Sequence, residues 1–449
     1  MSKPTLPTQS STQRKIDHLI TALIGFGLGL GLLKFGNPVI LNHLVTWPEN
    51  LAEYLFISWP LPMALFWLFI LALGFWRWGI PKTRMPWLAS LVLVWLAWQG
   101  LSAMNSPHRH LWGITIIHFH ALLILFEAAR RWSTQLTPRW LLPGLLACFF
   151  YVLWLGWEQH SGGLEATRQA FYAQPNWQSA KPEYLLKISS NRIFSSLVYP
   201  NALAGAILLF FPFLITATWR YTTRLSNIPR GVLMGGLVLG SGTCLYWSGS
   251  KSGWLISLVL LLVVILRQPN LRRWRALLLS MVLLGGLGAF AWKFQGYFAK
   301  GATSASARFT YWQAAVDIAK DYPLLGTGPG TFAVEYAKRK PPEAEMAKLT
   351  HNDYLEQASD SGLIGCLLFT AFLIGSVITL GKKKWASGDG VEFAMWVGVL
   401  GYALQSFVEF GLYIPALSWS AFFFLGWLWG RPKCNEIPTE ALPRSPQTH

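Results

Sequence analysis

Apolar runs of membrane-spanning length recur along the whole chain and restrict its fold more than any other feature. Runs of about 18 to 23 residues with few charges match the thickness of a bilayer core. At 449 residues, with 53% hydrophobic and 13% charged residues, the chain is also too apolar for a soluble multidomain protein. We therefore predict an all-α polytopic membrane bundle that forms a single domain over residues 1–449. The twelve predicted spans lie near residues 17–33, 54–76, 86–104, 111–128, 140–157, 194–218, 231–248, 252–266, 275–293, 362–381, 391–410 and 414–430.

The net charge of +17 is divided among small Lys and Arg clusters between the apolar runs, without one concentrated basic face. That distribution argues against a nucleic-acid-binding surface and is typical of cytoplasmic loops. The clusters all fall on one side of the predicted spans, at residues 14–15, 77–84, 130–139, 220–230, 267–275, 382–384 and 431–433. Both termini are then predicted to be cytoplasmic, and the tail 432–449 to be disordered. The long polar loops 158–193 and 294–361 are predicted to face outward.

No cofactor or metal site is expected from the cysteines and histidines. The four cysteines have no paired spacing, which argues against both a disulfide framework and a zinc site. The histidine pairs are two residues apart, so their rings are expected on different faces of a helix, where they cannot share a metal ion. These pairs are His108 with His110 and His118 with His120.

Two cations are predicted at the outward ends of spans. Arg192 lies shortly before Pro200 and Asn201, where the chain enters an apolar helix, and it fits a bidentate phosphate ligand and an interfacial anchor equally well. Lys251 lies in a turn of small residues, 248–253, without an acidic neighbour. An isolated lysine at that depth favours an anion partner over a solvated turn.

The outward loop 294–361 is predicted to be partly helical. Phe309, Trp312 and Val316 recur at helical spacing, which indicates an amphipathic helix that Pro323 ends. Further on, a glycine-rich turn precedes a predicted short helix at 331–338 and can present backbone N–H groups to an anion, although such a pattern most often forms only a turn. The three glycines of that turn are Gly326, Gly328 and Gly330.

His351 is the strongest candidate for a catalytic group. Thr350 and Asp353 fit a capping box, with Thr350 as the N-cap of a helix that continues to Gly362. His351 is then expected in the first helical turn, where the helix macrodipole favours a neutral imidazole. A neutral imidazole in an outward cleft suits general-base action on a hydroxyl. The alternative is a surface histidine that packs near the start of a helix.

Glu409 is the only acidic residue well inside a late predicted span. A carboxylate at that depth is expected to have a functional or structural partner. Two roles fit equally well, because Glu409 can pair with a cation from a loop or help to position a substrate.

Taken together, these elements resemble the O-antigen ligase and polymerase superfamily of bacterial membrane proteins. The resemblance is detailed over residues 190–380 and rests on hydropathy elsewhere. Three groups of residues carry it: Arg192, Pro200, Asn201 and Ala204; Arg308, Trp312, Pro323, Gly326, Gly328, Gly330 and Phe332; and His351, Asn352, Leu355, Gly362 and Gly365. One turn departs from the family pattern, because Ser250-Lys251-Ser252 replaces a common Ser-Arg-Gly. The charge is retained there, but the bidentate guanidinium is lost.

The resemblance implies a metal-independent, inverting glycosyltransferase of the bacterial inner membrane. It implies transfer of a glycan from undecaprenyl diphosphate to a sugar hydroxyl of lipid A-core at the periplasmic face, without a cofactor. His351 corresponds to the base or acceptor-positioning group, and Arg192 and Lys251 to the groups that hold the diphosphate. The supporting residues are expected to be Asn201, Arg308, Asn352 and Glu409. An O-antigen polymerase and a transporter of small anions such as bicarbonate are the alternatives.

Overall fold

The computed structural model describes residues 10–34, 61–108, 111–175, 177–179, 185, 188–299 and 303–431. Within these ranges the protein has sixteen α-helices and no β-strand. In chain order they are α1 Ser11–Lys34, α2 Leu61–Trp78, α3 Trp87–Met104, α4 Gly113–Arg131, α5 Pro138–Glu158, α6 Leu164–Tyr172, α7 Pro200–Tyr221, α8 Asn227–Ser248, α9 Lys251–Arg267, α10 Arg275–Ser280, α11 Gly286–Ala299, α12 Thr303–Asp321, α13 Phe332–Arg339, α14 Asp353–Ala386, α15 Gly390–Gln405 and α16 Pro415–Gly430.

Eight membrane-spanning candidates confirm the prediction of an all-α polytopic membrane protein. They are α1, α3, α4, α5 continued by α6, α7, α8, α10 continued by α11, and α14. Helices α9, α15 and α16 are apolar but have only 17, 16 and 16 residues. Each of the twelve predicted spans overlaps a helix, and the count of twelve stays a prediction. The start of the second span, Arg109, His110 and the tail 432–449 lie outside the described residues.

Helices α1 and α5 pack closely through small residues. A Cβ on Gly25 would lie 2.2 Å from the carbonyl oxygen of Leu141, and one on Gly29 would lie 2.8 Å from the Cβ of Cys148. The two glycines are four residues apart, so they share one face of α1. A larger side chain at either position would push the two helices apart.

Helix α14 has two parts of different character, and Gly362 separates them. Gly362 has φ 71° and ψ −179°, and the N–H of Leu363 donates to the carbonyl of Pro323 at 2.8 Å. The first part, residues 353–361, is polar and almost fully buried, whereas the second part is apolar. The predicted break at Gly362 is therefore confirmed. It brings the polar part of α14 against the loop 294–361, through contacts with α12 and α13.

The loop predicted to face outward contains two whole helices, α12 and α13, and the predictions of both helices are confirmed. They share a small apolar core that includes Tyr311, Ile318 and Tyr336. Only part of the predicted apolar stripe of α12 is buried, because Phe309 is 65% exposed whereas Trp312 and Val316 are half-buried. Tyr311 and Ile318 are the buried side chains of this helix. The buried face of α12 is the one that packs against α13 and α14, and the spacing of the aromatic residues alone does not identify it.

Candidate functional site

The segment before α14 places His351 differently from the sequence prediction. Asn352, and not Thr350, is the N-cap, because its side-chain oxygen accepts from the N–H groups of Tyr354 and Leu355 at 3.0 and 3.1 Å. His351 therefore precedes the cap and lies outside the first helical turn. Its φ of 54° is a left-handed conformation that non-glycine residues adopt rarely. The predicted capping box was wrong, and the macrodipole argument that rested on it does not apply.

Glu409 is the centre of the site, and its carboxylate accepts four hydrogen bonds. Oε1 accepts from the Arg308 guanidinium and from Asn201 Nδ2, the latter at 2.5 Å. Oε2 accepts from the Tyr199 hydroxyl at 3.1 Å and faces His351 Nδ1 at 3.2 Å. Four partners fill the acceptor capacity of an ionised carboxylate. Glu409 is only 3% exposed, so its charge is compensated inside the protein.

His351 combines a fixed orientation with access from outside. In a neutral imidazole, the Glu409 acceptor favours the tautomer with the proton on Nδ1, which leaves a lone pair on Nε2. The rings of Tyr199, Tyr311 and Phe410 lie 6.2, 5.9 and 4.8 Å from the imidazole, measured between centroids. The side chain nevertheless remains 23% exposed. The imidazole is therefore accessible to solvent.

Arg192 joins this network through Asn201. Its Nη2 donates to Asn201 Oδ1 at 2.9 Å, and its Nε donates to the carbonyl of Ser248 at 2.7 Å. Burial lowers the pKa of Arg192, yet a guanidinium stays protonated at any physiological pH. Neither of these bonds uses Nη1, and it has no acceptor among the described residues. That amino group can bind an oxyanion.

Arg308 is the second guanidinium of the site. Burial opposes its charge most strongly, but the Glu409 carboxylate and the Tyr199 hydroxyl together outweigh burial and raise the pKa of Arg308 above its ordinary value. Arg308 of α12 is therefore the counterion of Glu409. Pairing with a cation from a loop was one of the two roles predicted for this carboxylate. Glu409 is buried and Arg308 is only partly exposed, so removal of Arg308 would leave the buried carboxylate without its counterion.

Lys251 lies beside the network and not within it. It is the first residue of α9 and precedes the predicted span 252–266, while Ser250 caps the helix by accepting from the N–H of Gly253 at 3.2 Å. Its Nζ lies 3.8 Å from the ring centroid of Tyr297. Burial and the nearby guanidinium groups of Arg192 and Arg308 lower the pKa of Lys251 to about 8. The site thus has a third cation with no acidic partner among the described residues.

The structure brings together most of the residues that the sequence singled out. Arg192, Asn201, Arg308, His351 and Glu409 form one hydrogen-bonded network. Asn352 caps α14 and does not reach this network. Tyr199 was missed, although its place directly before Pro200 and Asn201, at the start of a helix, was a usable signal.

The glycine-rich turn does present a backbone N–H group to an acceptor, and that acceptor is a side chain of the protein itself. Gly330 N–H donates to Oδ2 of Asp360 at 2.6 Å, and the Tyr413 hydroxyl donates to the same oxygen at 3.1 Å. Gly328 N–H donates to the Asp360 carbonyl at 2.8 Å. The turn is therefore fastened to α14.

His118 and His120 occupy different faces of α4, as their spacing predicts. His118 is buried with Nε2 2.8 Å from the carbonyl of Leu412, whereas Nδ1 of the exposed His120 lies 2.8 Å from the carbonyl of Ile116. His108 lies 2.8 Å from Glu335 of α13. These histidines therefore make separate structural contacts.

Comparison with known proteins gives one family. Residues 235–370 match the family model described as O-Antigen ligase. This range runs from α8 to the kinked part of α14 and includes Lys251, Arg308 and His351. Arg192, Asn201 and Glu409 lie outside it. A search of curated proteins finds no match.

Proposed function

We propose that this multi-pass membrane protein is an O-antigen ligase. The match to the O-antigen ligase model supports membership of the O-antigen ligase and polymerase superfamily. The superfamily implies transfer of a polyprenyl-linked glycan to an acceptor. In our proposal the donor is a glycan on undecaprenyl diphosphate and the acceptor is a sugar hydroxyl of lipid A-core. Transfer occurs at the periplasmic face of the inner membrane.

The contact between His351 and Glu409 is the observation that carries this proposal. An accessible imidazole whose Nδ1 proton is held by a buried carboxylate has Nε2 available as a general base. Histidine bases in other enzymes are oriented by a carboxylate in the same way. A histidine with only a packing role would not need a partner that is itself held by Arg308, Asn201 and Tyr199.

The proposed reaction is a single displacement at the anomeric carbon of the donor. The acceptor oxygen forms a bond to that carbon while the bond from the carbon to the diphosphate oxygen breaks. The bonding pair leaves with undecaprenyl diphosphate, and the hydroxyl proton passes to Nε2 of His351. Attack opposite the leaving group inverts the anomeric centre. Glu409 stabilises the imidazolium that forms, because it stays ionised beside it.

The cations supply charge for the leaving group in this proposal. Arg192 has an amino group without an acceptor among the described residues, and Lys251 has no acidic partner among them. Both can stabilise negative charge that develops on the diphosphate as the bond breaks. Arg308 is already paired with Glu409, so we assign it to the general base and not to the diphosphate. No metal ion is required by this division of roles.

A deletion strain tests the ligase assignment. Loss of a ligase should leave bare lipid A-core together with long lipid-linked polymer on lipopolysaccharide gels. Core that carries a single repeat would instead identify a polymerase. An unchanged gel with reduced uptake of a small anion would show that the protein is a transporter and would overturn the transferase proposal.

The His351→Ala variant tests the assigned base. It should abolish glycan transfer in proteoliposomes while the protein still inserts into the membrane. General-base action contributes about 10²–10⁴-fold to rate, so the loss should be of that order. Near-normal transfer by His351→Ala would remove His351 from the catalytic role.

A further inference from the structure

We infer that Asp353 and Glu356, in the first turns of α14, are positioning residues that set His351 opposite Glu409. This inference rests on the proposed function, because it presupposes that the contact between these two residues matters for transfer. Neither carboxylate touches the imidazole. Each one instead accepts from a backbone N–H group in a segment that carries a member of the pair.

Asp353 fastens both ends of the loop that carries Glu409. Its own N–H donates to the carbonyl of Ser406 at 2.8 Å, and its Oδ2 accepts from the N–H of Leu412 at 2.9 Å. Glu409 lies midway between these two residues. Asp353 also follows His351 by only two positions. Asp353 therefore fixes the distance between the loop that carries Glu409 and the segment that carries His351.

Glu356 holds the other side of His351. Its Oε2 accepts from the N–H of Thr350 at 2.6 Å, and the Thr350 hydroxyl donates to the carbonyl of Asn352 at 2.7 Å. The residues on both sides of His351 are thus fixed, which explains how His351 keeps its left-handed backbone conformation. Such strain persists only where the surroundings impose it.

The burial of these two side chains favours a role in positioning the backbone over one that involves contact with solvent. Asp353 and Glu356 are both 0% exposed, and neither forms an ion pair with a cation among the described residues. Burying a carboxyl group costs free energy unless its hydrogen bonds offset that cost. Leu412 is also held from the opposite side, where its carbonyl lies 2.8 Å from Nε2 of His118.

Two pairs of variants, assayed in proteoliposomes, test the inference. Asp353→Ala removes the acceptor for Leu412, and we expect kcat to fall by about 10²-fold, because a displacement of about 1 Å can cost that much. The donor KM should stay within about twofold of its normal value. Asp353→Asn keeps a side-chain oxygen that can accept the same bond and should restore kcat to within about fivefold. Glu356→Leu and Glu356→Gln should behave in the same two ways.

A double variant separates positioning from a general structural defect. In a Glu409→Gln background, Asp353→Ala should lower kcat by less than about a further threefold, because its effect acts through Glu409. Asp389→Ala is the matched control, since Asp389 also accepts from backbone N–H groups but at the start of α15. It should leave transfer unchanged. Membrane content and thermal stability of each variant are measured in parallel.

The outcomes distinguish this inference from the proposed function. If His351→Ala abolishes transfer but Asp353→Ala and Glu356→Leu leave it unchanged, the positioning inference is wrong and the assigned base stands. Fully additive losses in the double variant, or Asn and Gln variants as inactive as Ala and Leu, would also overturn the inference. If His351→Ala retains transfer, the assigned base itself is wrong.

Discussion

Glu409 shows how a charge can be kept inside an apolar bundle. Its two oxygens have four partners, from α7, α12 and the segment that carries His351. A carboxylate without such partners would be neutralised or expelled by desolvation. The surrounding groups therefore keep Glu409 ionised, and an ionised Glu409 gives His351 its orientation.

Substitution of Glu409 by Gln should disable transfer. The amide removes the charge that balances Arg308 and can no longer stabilise an imidazolium, so we expect a loss of about 10²–10⁴-fold in kcat. Glu335→Gln is the control, because Glu335 is an equally buried glutamate whose partners, His108, Lys338 and Arg339, lie outside the Glu409 network. It should retain transfer within about threefold. Equal losses in both variants would argue against a specific role for Glu409.

We predict that Lys251 makes the rate of transfer dependent on pH. Its pKa is lowered to about 8, so the charged amine is lost as the pH rises through that value. If the ammonium stabilises the diphosphate, transfer should decline above about pH 8. Lys251→Arg should extend activity to higher pH, because a guanidinium remains protonated. The measurement is the initial rate of transfer between pH 6.5 and 10, chosen to bracket the Lys251 pKa. Identical profiles for the two proteins would exclude this role, and the exposed Lys320→Arg is the control.

At the scale of helices, α14 connects the outward loop to the bundle. Its polar first part holds three segments by their backbone N–H groups, through Asp353, Glu356 and Asp360. Its second part is an apolar span. Gly362 permits the change of direction between the two, because its φ of 71° suits glycine and the carbonyl of Leu324 occupies the space that a Cβ would need.

Gly362→Ala should destabilise the protein markedly. A Cβ there would lie 2.1 Å from the oxygen of Leu324, and the left-handed conformation adds strain. We expect a loss of about 2–4 kcal/mol, measured as a lower thermal unfolding midpoint in detergent. Gly288→Ala in α11 is the control, because a Cβ at Gly288 would meet no atom within 4 Å. Its midpoint should not fall, and a similar decrease in both variants would contradict the explanation.

The sequence predicts the helices and the breaks between them better than it predicts contacts between residues that are distant along the chain. Hydropathy predicts the helices because a bilayer demands long apolar segments, and Pro323 and Gly362 mark breaks for local steric reasons. The N-cap at Asn352 was missed because Thr350 offers an equally good local signal. The partner of Glu409 was undecided because Arg308 lies about 100 positions away. Contacts over such separations depend on packing that a local pattern does not encode.

At the scale of the whole molecule, the proposed reaction requires that the site face the periplasm. The basic clusters 382–384 and 431–433 lie at the ends of α14 and α16. The network of His351 and Glu409 lies at the opposite end of α14. The prediction that basic loops are cytoplasmic therefore assigns the site to the outer face.

Cysteine labelling decides the sidedness directly. Glu343 and Gly388 are both exposed, and they lie in the outward loop and in the turn between α14 and α15. In a background without native cysteines, a membrane-impermeant maleimide should label Glu343→Cys in cells with a permeabilised outer membrane. It should label Gly388→Cys only after the inner membrane is broken. The reverse pattern would place His351 in the cytoplasm, where a periplasmic ligase could not use it. Because α14 alone separates the two positions, the result does not depend on how many other helices cross the membrane.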